Sequence, residues 1–162
     1  MSDPDDLASL RTVADYQFGA GAGEALFPPD HPHVVKRTSS GRPQQVLTGP
    51  DGDAASDRVV SYGVDGRFTL SVLGGRRLAA ALDHPRYRVV VGDDSEPFVR
   101  DGKNVFAKFV QAVDPDVRPR DEVLVVHADG DLLGVGRAEL DADAMLDFDT
   151  GMAVKVREGA DG

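Results

Sequence analysis

Three of the four lysines of this 162-residue chain, Lys103, Lys108 and Lys155, fall in its second half. A compact ammonium is a point-charge partner for phosphate. Gly102, beside the first of them, would let a sugar-phosphate backbone approach closely. Phe106 has two readings, a core residue first and a ring stacked on a base or ribose second. Lys155, with Arg157 after it, reads equally well as the solvent face of an edge strand. Catalytic groupings are wanting by contrast. His31 and His33 flank Pro32 and could seed a metal site, yet no third ligand stands at a useful local spacing, so surface loop is the expected role. Asp93-Asp94 and Asp141, Asp143, Asp147 and Asp149 could bind divalent ions, but read better as a solvated acidic face. Ser39-Ser40 and Ser61 have no activating base beside them in any motif. The sequence therefore leads us to expect no catalytic residues, no metal and no cofactor.

The charge balance has a physical reading of its own. The 28 acids divide into 23 Asp and 5 Glu, the 18 bases into 14 Arg and 4 Lys, for a net charge of -10. Short, strongly hydrated carboxylates keep a surface solvated at high ionic strength, where a Debye length of about 3 Å screens their repulsion. This composition points to a salt-accumulating, haloarchaeon-like cytosol. A disordered acidic chain is the rival, but 41% hydrophobic residues in regular strand patterns argue against it. Without cysteine the fold rests on packing. The absence of any apolar run of ~20 residues and an acidic start lead us to expect a cytoplasmic protein.

Elements that could position these residues follow from periodicity. Leu7, Leu10, Ala14 and Phe18 recur at helical spacing after a cap at Asp5 or Asp6, and Gly19 stops the helix. The Gly19-Ala20-Gly21-Ala22-Gly23 run looks like a phosphate loop, but it follows a helix and soon meets Pro28-Pro29, so it reads as a flexible connection. Strands are expected at His33–Thr38, Gln44–Thr48, Arg58–Tyr62 and Arg67–Leu73, with a loop at Gly49–Asp57 and a hairpin turn at Asp65-Gly66. Gly74-Gly75 opens a helix over Arg76–Leu82, ended by His84-Pro85. The second half offers Tyr87–Val91, whose valine run implies burial on both faces, a helical turn at Ser95–Arg100, and one long strand, Asn104–Val113. Asp121–His127 and Leu132–Leu140 follow, joined at Asp129-Gly130, then a short helix through Met145 and the strand Met152–Arg157. The fold class expected is α+β: a small helix-flanked antiparallel sheet over residues 1–82, then a compact, partly closed barrel over residues 83–162.

Four blocks in the second half carry a resemblance. They are Gly102-Lys103-Asn104-Val105-Phe106-Ala107-Lys108-Phe109-Val110, Arg118-Pro119-Arg120-Asp121-Glu122-Val123, Leu132-Leu133-Gly134-Val135-Gly136-Arg137-Ala138 and Gly151-Met152-Ala153-Val154-Lys155-Val156-Arg157. In this order they resemble a PUA domain, the RNA-binding pseudo-barrel of pseudouridine synthases and archaeosine transglycosylases. Arg120 stands where that family often has glycine, in a Pro-Gly-Asp turn. In the first half, the segment from Val13 to Phe27 and Asp65-Gly66-Arg67-Phe68-Thr69-Leu70 resemble the region preceding the PUA domain in archaeal tRNA-guanine transglycosylases and archaeosine synthases. Such enzymes carry a large catalytic domain upstream, which this chain is too short to contain.

The resemblance implies RNA held beside the first helix of the barrel and the strand after it, at Gly102, Lys103, Asn104, Val105, Phe106 and Lys108, with Lys155 and Arg157 as neighbours. It narrows the expected partner to tRNA and the expected role to non-catalytic binding in or alongside tRNA modification, in the archaeosine pathway, beside a separate modifying enzyme. A protein–protein adaptor or accessory subunit of such an enzyme is the alternative. The net charge opposes phosphate binding at ordinary ionic strength and opposes it less in molar salt, where affinity must come from hydrogen bonds, 2′-OH contacts and shape.

Overall fold

The computed structural model describes residues 4–49 and 57–161. The chain divides into two compact units, Met1–Leu82 and Asp83–Gly162. The loop expected at Gly49–Asp57 falls, from Pro50 to Ser56, outside the described residues.

The first unit opens with α1 (Pro4–Phe18), which buries Leu10, Ala14 and Phe18. It starts at the proline, so the two aspartates expected to cap it lie inside its first turn, where proline's missing N–H costs nothing; Asp6 there pairs with Arg37. The glycine run is not a flexible connection throughout. It contains a second helix, α2 (Ala22–Leu26), entered through Gly21 in the left-handed region at φ 92°. Side chains of α1 satisfy both its ends: Asp15 Oδ1 accepts from the Gly23 N–H at 2.8 Å, and Arg11 Nε donates to the Phe27 carbonyl at 2.7 Å.

Four antiparallel strands follow in sequence order, β1 (His33–Arg37), β2 (Pro43–Thr48), β3 (Arg58–Tyr62) and β4 (Phe68–Leu70). The hairpin at Asp65-Gly66 is present, with Gly66 at φ 79°. Gln17 stands in for a fifth strand at the β4 edge: its carboxamide accepts from the Phe68 N–H at 2.7 Å and donates to the Phe68 carbonyl at 3.0 Å. The last helix, α3 (Val72–Ala81), begins four residues before the expected start. Ser71 caps it by accepting from the Gly74 N–H at 3.0 Å, so Val72 and Leu73 are helical rather than extended. The two glycines lie inside α3 because it rides close over β3: a Cβ on Gly74 would run into the Val59 carbonyl.

In the second unit the strands are β5 (Arg88–Val91), β6 (Val105–Phe106), β7 (Val110–Val113), β8 (Glu122–His127), β9 (Leu132–Ala138) and β10 (Met152–Gly159), with α4 (Glu96–Arg100) and α5 (Ala142–Asp147) between them. The order across the sheet is β6-β10-β9-β8-β5-β7. β5 runs parallel to β8 and is buried along its whole length, as its valine run implies.

The single long strand expected over Asn104–Val113 is two strands. A 3-10 turn at Ala107–Phe109 breaks it, sending β6 to pair with β10 and β7 to pair with β5. Because β6 and β7 are the two ends of the sheet, this turn nearly closes it into a barrel. Val89, Val91, Val99, Val123, Val125, Leu133, Met145 and Val154 fill the interior. α4 lies tight on the end of β10, where a Cβ on Gly159 would meet the Val99 and Arg100 carbonyls.

Candidate nucleic-acid interface

The 3-10 turn decides which side chains reach the surface. In an unbroken strand Val105, Ala107 and Phe109 would share one face. The tighter turn instead buries Val105 and Ala107 and turns Phe106, Lys108 and Phe109 outward. Phe106 is 47% exposed and Phe109 40%, so the first reading of Phe106, as core, is corrected. Phe98, on the outer side of α4, is 60% exposed. These three rings, with Val99, Val105, Asp94, Ser95, Lys103 and Asn104, line an apolar groove of about 550 Å³.

α4 ends where its backbone turns back on itself: the Gly102 N–H donates to Val99 at 2.9 Å and the Lys103 N–H to Phe98 at 2.9 Å, with Gly102 at φ 89°. This termination delivers the exposed Lys103 to the groove. Asn104 accepts from the Val156 N–H at 2.9 Å, so its carboxamide fastens the approach to β6 onto β10. At the opposite end, the Lys108 ammonium lies 5.1 Å from the centroid of the Phe109 ring. A polar hollow of about 430 Å³ adjoins the groove and is lined by Gly92, Asp93, Asp94, Ser95, Lys108 and Gln111 among others.

Of the residues expected from the sequence, Lys103, Asn104, Val105 and Phe106 line the groove, Gly102 shapes its entry, and Lys108 borders the hollow beside it. Lys155 and Arg157 line neither. Lys155 is exposed on β10 opposite Arg137. Arg157 holds the carboxylate of Glu122, at 2.8 and 2.6 Å. Sequence reasoning missed Phe98 and Phe109. Neither has a local signal: α4 holds both the exposed Phe98 and the buried Val99, and only the packing of the barrel separates them. The second unit carries 10 bases against 18 acids. The two lysines are thus a local cationic frame in an acidic setting.

Two other expectations are revised. His33 is not loop surface but a buried residue at the start of β1, 6% exposed. Its Nδ1 bonds the His31 carbonyl at 3.0 Å and its Nε2 faces Arg77 Nη1 at 3.0 Å. Burial first, then the Arg77 guanidinium, lowers its pKa to about 4 against the opposing pull of the His31 carbonyl. Asp141, expected as part of a solvated face, caps α5 by accepting from the Ala144 N–H at 2.8 Å. Among the described residues no helix is long and apolar enough to cross a membrane.

Residues 87–160 match the PUA domain, and residues 8–85 match the patch-forming domain C2 of tRNA-guanine transglycosylase. The chain has a PUA domain as its second unit. Its PUA and C2 segments together are similar to the C-terminal part of archaeal tRNA-guanine(15) transglycosylases. With that of Methanothermobacter thermautotrophicus it is 43% identical over 157 residues, 96% of this chain and 23% of the relative. With that of Thermococcus kodakarensis it is 44% identical over 153 residues, 94% of this chain and 25% of the relative. The chain therefore spans about a quarter of the length of these relatives.

Solved structures share the fold. A hypothetical protein from Pyrococcus horikoshii OT3 aligns with a TM-score of 0.73 at 20% identity, covering 99% of this chain and 93% of that one. A PUA domain protein from Aeropyrum pernix K1, solved with tartrate, aligns at 0.70 and 19% identity, covering 99% and 85%. The α+β architecture, a helix-flanked antiparallel sheet and a nearly closed PUA-like barrel, is thus that of known PUA-domain proteins.

Proposed function

We propose that this chain is a non-catalytic RNA-holding protein that grips tRNA in the Phe98–Phe106–Phe109 groove, in the service of tRNA modification by a separate active site. The observation that carries the reading is the conjunction of three exposed rings in one groove with Lys103 on its lining and Lys108 at its border. Aromatic faces take unstacked bases whatever their identity, and ammonium groups beside them take the intervening phosphates. The PUA match and the tRNA-guanine(15) transglycosylase relatives support tRNA as the RNA, and archaeosine formation as the modification. Every residue of the groove falls in the second unit, which is the one expected to hold RNA.

The acidic surface fits a salt-rich cytosol, in which binding draws little on counterion release and much on stacking and hydrogen bonds. The test is retention of tRNA at about 1–3 M KCl, comparing the unaltered chain with the double variant Lys103→Glu, Lys108→Glu. Both lysines are exposed, so the fold should survive. Affinity should fall about tenfold. Undiminished retention by the double variant would place the RNA elsewhere.

A further inference from the structure

The strand β8 ends at His127, and the loop after β5 and the first residue of α4 bring Asp93 and Glu96 to the same point. His127 Nε2 stands 2.6 Å from Asp93 Oδ1. One ligand atom from each of Asp93, Glu96 and His127 lies within 4.8 Å of the others. We propose that these three side chains form a site for a divalent transition metal of the zinc type, tying the end of β8 to the start of α4.

The donor set decides the class of ion. One imidazole nitrogen with two carboxylates suits zinc and its first-row neighbours, whereas magnesium and calcium take oxygen alone. Three protein ligands leave a coordination position for water.

The environment of the other ring nitrogen is the second, independent observation. A metal-bound histidine donates its remaining N–H to a carboxylate or carbonyl that fixes its orientation. His127 Nδ1 has Asp129 Oδ1 at 3.1 Å for that purpose and the Asp129 backbone N–H at 3.0 Å. One residue thus offers both an acceptor and a donor to Nδ1. The ring can present N–H at Nε2 to Asp93 when no metal is bound, and a lone pair at Nε2 to a metal, without Asp129 moving away.

The imidazole side chain is only 14% exposed, so its position is set by the fold, while Asp93 is exposed and has room to adjust. Three carboxylates, those of Asp93, Asp129 and Glu96, surround the ring and favour positive charge there. Arg100 supplies the opposing influence. Its Nε and Nη2 both lie 3.1 Å from Glu96 Oε2. Glu96 would therefore ligate through Oε1, and Arg100 limits the affinity.

A metal here would brace one wall of the groove. Asp94 and Ser95, between the two proposed carboxylate ligands, line both the groove and the polar hollow, and Phe98 follows one turn later.

Calorimetric titration of zinc chloride into the full chain, in a non-chelating buffer near neutral pH, tests the site directly. One saturable equivalent is expected, abolished by Asp93→Asn and by His127→Gln, and weakened about tenfold by Asp129→Asn, which acts only through Nδ1. Circular dichroism checks that each variant is folded. Should a variant unfold, the ring nitrogens of 15N-labelled unaltered protein give the answer: zinc should move the Nε2 resonance of His127 into the coordinated range. The proposal is overturned by the absence of saturable binding, by stoichiometric binding that survives both Asp93→Asn and His127→Gln, or by a His127 ring that does not respond to zinc.

Discussion

Arg157 donates to both carboxylate oxygens of Glu122, at 2.8 and 2.6 Å, across 35 residues of chain. Glu122 is 4% exposed, so this guanidinium on β10 stabilises an acid that the barrel has taken out of water. An arginine in this position is part of the fold before it is part of any RNA surface. Arg157→Ala should lower stability by about 2–3 kcal/mol, at the low end for a broken buried pair because Arg157 itself keeps contact with solvent. A urea midpoint checks it. Restored stability in the double variant Arg157→Met, Glu122→Leu would identify the loss of this pair around a buried carboxylate as the cause.

Arg120 is one of two non-glycine residues with positive φ among those described, at φ 78°. It is also the position where the resemblance to PUA domains anticipates glycine in a Pro-Gly-Asp turn. Its backbone N–H donates to the Ala138 carbonyl at 2.7 Å, which holds the turn in place against the strain. A left-handed L-residue costs about 1–2 kcal/mol, and glycine's greater freedom in the unfolded chain returns part of that. Arg120→Gly should therefore raise stability by about 0.5–1 kcal/mol. Arg120→Ala should give no such gain, and equal midpoints for the two would remove backbone strain as the explanation.

His33 predicts an acid-sensitive first unit. Its pKa is lowered from 6.5 to about 4 in the fold. Between these values the unfolded chain binds a proton that the folded chain does not, so protonation favours unfolding. This contribution to stability is fully present above pH 6.5 and falls as the pH is lowered to about 4, where the folded ring also protonates. Urea midpoints measured across that interval should drop for the unaltered protein and drop less for His33→Gln. Parallel pH profiles would mean that other groups carry the acid response.

Phe106 separates stacking from packing. Its ring is nearly half exposed, so Phe106→Ala should change stability little while weakening tRNA binding by about 1–3 kcal/mol. A large loss of stability with binding retained would return Phe106 to the core.

How much of this was legible depended on the range of the interaction. The Asp65-Gly66 hairpin, the doubly buried valine strand at Val89–Val91 and the helix carrying Leu10, Ala14 and Phe18 are local patterns, and periodicity alone exposes them. The start of α3 was misplaced because Gly74-Gly75 resembles a loop until the close approach to Val59 is known. The break at Ala107–Phe109 was invisible for a similar reason. Every residue from Val105 to Val110 tolerates an extended backbone, and only closure of the barrel demands that β6 and β7 pair with different partners. Phe106 changed from core to surface with that break. Pairings across long separations, Arg157 with Glu122 and Asp93 with His127, leave no trace in local spacing.

The proposal that the Phe98–Phe106–Phe109 groove holds tRNA can be tested on the protein in its cell. Photo-crosslinking of the protein to cellular RNA at native salt, followed by mapping of the linked peptides and sequencing of the linked RNA, tests it most directly. Adducts are expected on the segment 98–109, carrying tRNA sequences. Adducts confined to other segments, or linked RNA without enrichment of tRNA, would contradict it.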